Sequence, residues 1–279
     1  MNEDEIMDNS KIQMANMEIL KEIDRVCDKY NIIYYLDCGA LLGAVRHKSF
    51  IPWDDDVDIS FTRENYEKFI KATESEWKNT KFCLKRPVDF TGDKWLDFVT
   101  RVVNKECKYE LNTYDKIGYE SAKDIWGCSA IDVFVLDNIP DDKKLHDKMC
   151  RKITIYYGML MGHRNYIDYS EYGFKAKIVI GILSKIGKMF SVKTVMNWYT
   201  SVCKKYANST GKYYFYSNFS LSDIHKKWDR EWYGNGTRLP LDNVLFNTPI
   251  NYDKVLKTNY GNYMELPPID KRIPKHLKK

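Results

Sequence analysis

The sequence predicts an α+β protein in which a mixed sheet is backed by helices, and three observations carry that prediction. Over residues 1–140, short apolar runs of period two alternate with stretches whose apolar residues recur at helical spacing. Beyond Pro140 the pattern turns helical, before a final stretch rich in tyrosine and proline. A chain of 279 residues with 44% apolar side chains can bury a substantial core, as one large domain or two small ones.

Residues 8–30 place Ile12, Ala15, Ile19, Leu20, Ile23, Val26, Cys27 and Tyr30 on one stripe between charged flanks, which predicts an amphipathic helix. Residues 32–36 are β-branched and aromatic and lead to Gly39, so strand, glycine turn and a short helix over 41–47 are expected. Val57, Ile59 and Phe61 alternate with Asp56, Asp58 and Ser60, a strand with one apolar and one acidic face. Thr62 should cap a helix over 63–77, with Glu64 and Glu67 near its positive end. Further strands are expected at 82–86, 98–103 and 131–136, and helices near 141–162, 174–190 and 192–207. Residues 208–279 hold Tyr213, Tyr214 and Tyr216, and turns at Gly234 and Gly236.

The net charge of +5 hides an asymmetry. Residues 1–140 carry 19 basic and 27 acidic side chains (net −8), residues 141–230 carry 17 and 7 (net +10), and residues 231–279 carry 8 and 5 (net +3). A basic middle suits a phosphorylated substrate, anionic lipid or nucleic acid, or is simply a solvated lysine-rich face. It contains no recognised nucleic-acid module, so no nucleic-acid partner is expected. The first 28 residues are acidic and helically periodic, unlike an export signal, which points to a cytoplasmic protein. Seven scattered cysteines without a Cys-x-x-Cys pair fit free thiols better than disulfides or zinc. His146, His163, His225 and His276 form no spaced cluster and read as non-ligands.

The chemistry concentrates in IPWDDDVDIS, residues 51–60, where Asp54, Asp56 and Asp58 recur every second residue and share one face of an extended chain. Like charges so placed repel, and a divalent cation would relieve them; oxygen ligands suit Mg²⁺ or Mn²⁺ better than zinc. A solvated acidic turn fits poorly between the apolar residues on either side. An EF-hand loop fails, because Ile59 and Asn65 stand where glycine and glutamate are required. Asp132, lone between Ile131 and Val133, would complete a three-carboxylate metal site if its strand lies beside residues 57–61. Arg46, His47 and Lys48 follow Gly39 closely enough for one to reach a phosphate, arginine being best suited to a bidentate contact. Arg101, inside an apolar strand-like run, is a further phosphate-binding candidate.

LDCGALLGAVRHKSFIPWDDDVDIS (36–60) resembles the signature of LicD-type phosphocholine transferases and the related fukutin-type proteins. IDVFVLDNIP (131–140) and INYDKVLKTNYGNYMELPP (250–268) extend the resemblance in the family's order. It implies a nucleotidyltransferase-like fold; the expected division is a catalytic core over 1–140, a basic helical segment inserted over 141–230, where no family pattern matches, and a C-terminal segment over 231–279 completing the domain. It further implies that Gly39 and Ala40 form the donor-binding turn, with Ala40 in place of the hydroxyl residue often found there. Asp56 and Asp58 would be the metal pair, Asp54 an added acidic position and Asp132 the third carboxylate, all serving catalysis through the metal. The implied reaction moves a phospho-alcohol from a CDP-activated alcohol to a glycan or lipid-linked glycan and releases CMP. A nucleotidyltransferase taking NMP from an NTP, and a non-catalytic binding protein on the same fold, remain open alternatives.

FKAKIVIGILSKIGKMFSVK (174–193) holds five lysines and no acid. Lys177, Gly181, Ser184, Lys185 and Lys188 make a polar stripe, opposite a broad apolar face formed by Ile178, Val179, Ile182, Leu183, Ile186, Met189 and Phe190. Two readings follow: a core-packed helix with its lysines in water, or a helix lying on the inner face of the cell membrane.

Overall fold

In the computed structural model, the described residues are 3–90, 94–95, 97–108, 128–164, 166–207, 209 and 211–274. His276 lies outside them.

Helix α1 (Glu3–Tyr30) leads to β1 (Tyr35–Asp37), α2 (Cys38–Leu42) and a π-helical turn (Gly43–His47). Then come β2 (Asp58–Thr62), α3 (Arg63–Glu76), β3 (Phe82–Lys85), α4 (Pro87–Phe90), β4 (Thr100–Lys108) and β5 (Cys128–Asn138). Three helices follow, α5 (Lys143–Met161), α6 (Phe174–Gly187) and α7 (Val192–Lys204). The chain closes with β6 (Tyr213–Tyr216), β7 (Trp228–Asp229), the hairpin β8 (Thr237–Leu241) and β9 (Val244–Thr248), and α8 (Tyr252–Tyr260).

The sheet runs β1-β2-β5-β4-β3, with β6 on the end of β5 and β7 on β6. It is mixed, as the sequence predicts: β2 and β5 pair in parallel and their neighbours are antiparallel. The acidic strand therefore sits in the middle of the sheet. Its apolar face does what the alternation required, since Val57, Ile59 and Phe61 are all buried and Phe61 stacks on Phe69 of α3 at 4.8 Å. One core gathers α1, α3 and the sheet; a second gathers α5 and α7 around Phe98, Ile139 and Phe215. The basic middle of the sequence thus supplies three helices and also β6, a strand of the main sheet.

Three local expectations change. Gly39 makes no left-handed turn: the positive φ falls on Cys38 (φ 42°), and Gly39 is already helical. The strand before it is shorter, three residues ending at Asp37. Thr62 does occupy the N-cap of α3, but its hydroxyl accepts from the Asn65 side chain at 2.9 Å and caps no backbone amide. The turns at Gly234 and Gly236 form, both at positive φ.

The end of β5 is tied down by Arg63, whose Nε donates to Asp137 Oδ1 at 2.9 Å while its Nη2 reaches Oδ2; Asp137 is wholly inaccessible to solvent. Removing one partner of such a pair strands a buried charge, whereas replacing both with apolar groups does not. Arg63→Met is expected to lower unfolding free energy by about 3–5 kcal/mol in urea titration, and Arg63→Met/Asp137→Leu to recover most of it.

Candidate active site

Parallel pairing sets Asp58 directly opposite Asp132, and the Asp132 amide donates to Val57 O at 3.0 Å. The aspartate at the start of β2 and the lone aspartate of β5 thereby become neighbours. Asp58 is in contact with solvent yet deeply enclosed by protein. Burial pushes its carboxyl well above the ordinary value, and the charges of Asp56, Asp132, Asp37 and Asp54 push it further. Four other carboxylates thus act on Asp58. Such a group favours a cation, because every ionised member raises the cost of ionising the next.

Asp37 was not singled out by the sequence. It lies at the end of β1, where its Oδ1 accepts from the Cys38 amide at 2.8 Å and its Oδ2 accepts from Tyr216 at 2.6 Å. Burial raises its carboxyl, and those hydrogen bonds oppose the rise. Tyr216 comes from β6 and Tyr260 from the end of α8; burial, then Cys38, Asp58, Asp37 and Asp54, hold the Tyr260 hydroxyl protonated. The 141–230 segment and the C-terminal segment therefore each supply a wall of the site. Tyr260 lies in the block 250–268 that extends the family resemblance, but no spacing in the sequence ties either tyrosine to the carboxylates, which they reach only through tertiary pairing.

The loop carrying Asp54 is fixed from α1: Gln13 Nε2 donates to the carbonyls of Ile51 and Asp54, both at 2.9 Å, and Asn9 Nδ2 to that of Pro52 at 2.6 Å. The Asp54 carboxylate lies directly over Gly39, so a methyl group there would fall 2.1 Å from its Oδ2. Glycine is required here for room and not for φ. Gly39→Ala is expected to push that carboxylate aside at little cost in stability, since a side-chain end can swing away. If Asp54 serves the reaction, activity falls by about 10²-fold with a Tm near that of wild type; paired thermal melts and initial rates check it. Ala40 faces the core, so only its backbone faces the turn.

The cationic candidates separate. Arg101 stands opposite Asp132 across β4 and β5, its Nε 3.0 Å from Asp132 Oδ1, with Nη1 and Nη2 on Asp97 at 3.2 and 2.9 Å. It is therefore committed to holding Asp132. Arg46 donates from Nη1 to the carbonyls of Tyr263 at 2.8 Å and Glu265 at 3.3 Å, which fastens the C-terminal segment to the π-helical turn. His47 lies edge-on to Trp53 at 6.0 Å, and burial followed by the Arg46 charge lowers its pKa, so it is neutral near pH 7. Lys48 is exposed, in a left-handed conformation that ends the turn. Of the histidines read as non-ligands, His146 and His225 lie with Cys150 in one group whose ligand atoms are within 4.8 Å of one another. Their positions are 75 residues or more apart except for the His146–Cys150 pair, so no spacing rule could detect them.

A mixed sheet with paired carboxylates on adjacent central strands is the frame of a nucleotidyltransferase-like protein, and residues 31–126 match the family model for the LicD/FKTN/FKRP nucleotidyltransferase domain. The chain is 25% identical over 277 residues to the lipopolysaccharide cholinephosphotransferase LicD of Haemophilus influenzae, covering 95% of this chain and 94% of that protein. It is also 39% identical over 57 residues to uncharacterised proteins of Rickettsia prowazekii and Rickettsia typhi, in each case 20% of this chain and 21% and 18% of theirs. Residues 31–126 thus match a LicD-type nucleotidyltransferase domain, and the chain is similar to a cholinephosphotransferase along nearly its whole length.

Proposed function

We propose that the protein transfers a phospho-alcohol, phosphocholine-like, from a CDP-activated donor to a hydroxyl of a cell-surface glycan, releasing CMP. The observation that carries this reading is the register that sets Asp58 beside Asp132 with Asp56 and Asp54 acting on the same point. The alignment with the Haemophilus influenzae lipopolysaccharide cholinephosphotransferase over nearly its whole length supports the choice of transferred group and acceptor class. In the reaction, the acceptor oxygen bonds to the phosphorus carrying the alcohol, the bond from that phosphorus to the bridging oxygen breaks, and CMP leaves with the electron pair.

The donor set fits magnesium or manganese, being all oxygen and carrying a carboxyl whose raised pKa a cation would lower. Such an ion, when bound, screens the charges of the donor diphosphate. Asp56 and Asp58 would hold it, with Asp54 beside them. Asp132 would take the proton of the attacking hydroxyl or share the ion, and Arg101 keeps its carboxylate in place. Tyr260, protonated at the edge of the cluster, can donate to a phosphate oxygen. Incubating the protein and Mg²⁺ with a panel of CDP-alcohols, with and without candidate glycans, tests the reading: acceptor-dependent CMP release supports it. Pyrophosphate release from a nucleoside triphosphate, or no turnover of any CDP-alcohol, overturns it.

The same reading includes a place of action. No helix among the described residues is long and apolar enough to cross a membrane. Helix α6, however, meets α5 through small residues: a methyl group at Gly162 would fall 2.1 Å from Ser184 O, and one at Gly187 2.0 Å from Met159 O. Ile180 and Leu183 pack against the core beside α5, while other large apolar side chains turn outward, with Phe174 78%, Ile182 55% and Met189 77% exposed. Of the apolar face, Leu183 packs on Gly158 of α5 and the rest is exposed, and Ser184, placed on the polar stripe, is buried. An exposed apolar face among lysines with no acid complements an anionic lipid surface, and α6 would dock the protein at the inner face of the membrane.

A further inference from the structure

Away from the carboxylates, His146 and Cys150 lie four residues apart on α5, one turn above the other on the same face. His225 approaches them from the segment after the short turn Leu221–Asp223. One ligand atom from each, an imidazole nitrogen or the thiol sulfur, lies within 4.8 Å of the others, and the two imidazoles meet edge to face at 6.3 Å. His146 is 7% exposed and its Nε2 is buried with no hydrogen-bond partner among the described residues, while Cys150 is buried and His225 exposed. A buried imidazole nitrogen with nothing to bond costs free energy that a native fold seldom leaves uncompensated.

We propose that His146, Cys150 and His225 form a zinc site that staples the segment between β6 and β7 to the first helix of the basic insertion. Two imidazoles and a thiolate are ligands Zn²⁺ prefers, and three protein ligands leave water for the fourth tetrahedral position. Bonds of about 2.0 Å to nitrogen and 2.3 Å to sulfur put tetrahedral ligand atoms roughly 3.3–3.5 Å apart. The ligand atoms therefore close in by about 1 Å, and His225, exposed on an irregular segment, can supply that movement. The Lys227 and Lys143 ammonium groups act against a cation here, but Lys143 is paired with Asp147 at 3.0 Å and the Cys150 thiolate returns one negative charge. This site stands on its own residues and does not depend on the transferase reading.

The test uses the full chain, stripped of metal, titrated with Zn²⁺ against a chromophoric chelator and separately with Co²⁺ under visible spectroscopy. Wild type should bind one tight Zn²⁺ and give tetrahedral cobalt bands with a thiolate charge-transfer band. His225→Ala, at an exposed position that leaves the fold intact, should weaken Zn²⁺ binding by at least about tenfold, Cys150→Ser should remove the charge-transfer band, and Asp56→Ala/Asp58→Ala should keep it. Equal Zn²⁺ affinity in wild type and His225→Ala, a cobalt spectrum without the thiolate band, or no tight Zn²⁺ binding at all would overturn the proposal.

Discussion

Replacing Asp58 with Asn is expected to abolish transfer while making the folded protein more stable. Burial and four neighbouring carboxylates raise the Asp58 carboxyl above its ordinary value of 3.8. The native state therefore holds a proton that the unfolded chain gives up. Stability falls as pH rises from about 3.8 through the folded value, and the full penalty stands at every higher pH. Asparagine removes that penalty, so its gain in Tm without metal should be present at neutral pH and vanish in acid. The same change removes a metal oxygen, and the rate should drop at least about 10³-fold, roughly 4 kcal/mol in barrier. Asp56→Ala should lose as much activity, and Asp132→Asn somewhat less, because the amide keeps the shape and one acceptor oxygen. Melting curves from pH 3 to 8, paired with CMP-release assays, read both effects; near-wild-type transfer by a folded Asp58→Asn protein would remove the metal assignment.

The second large effect concerns α6. The protein is expected to sediment with anionic liposomes at low salt, to bind more weakly at moderate salt, and to ignore neutral vesicles. Losing Lys185 and Lys188 as cations is worth about 2 kcal/mol, roughly 30-fold in partitioning, and charge reversal to Glu should exceed it. Ile182→Asp should weaken binding through the apolar face, and since Ile182 is 55% exposed the fold should tolerate it. Protein that remains in the supernatant with anionic vesicles at low salt would show that this face serves something other than lipid.

Much of this architecture was legible where the pattern was local. The alternation around Asp58 predicted a strand with a buried apolar face, and the lone Asp132 inside an apolar run suggested a neighbour for it. The helices of the insertion were visible in their periodicity. Which side of α6 would pack was not, because contact is decided by Gly162 and Gly187, which let two backbones approach, and by Gly158, which makes room for Leu183, and none of these glycines carries a hydrophobic signal. Asp37 escaped notice because it reads as the polar end of a strand, and its role near the cluster depends on Tyr216, 179 residues later. The strands β6 to β9 were missed where tyrosine, proline and glycine broke the alternation. The left-handed Cys38 was unreadable beside Gly39, the residue that chemistry would favour for that conformation.

The pairing of β2 with β5 joins residues 74 positions apart, from Asp58 to Asp132, and the Tyr216–Asp37 hydrogen bond closes a still longer separation. Contacts of this range slow folding, since a long loop must lose its freedom before they form. During synthesis, Asp54, Asp56 and Asp58 emerge well before the strand that completes their surroundings. The crowded carboxylates are therefore brought together late, after helices such as α1 and α3 have had time to form locally. A growing chain cannot assemble this cation-seeking cluster until about half of it has left the ribosome.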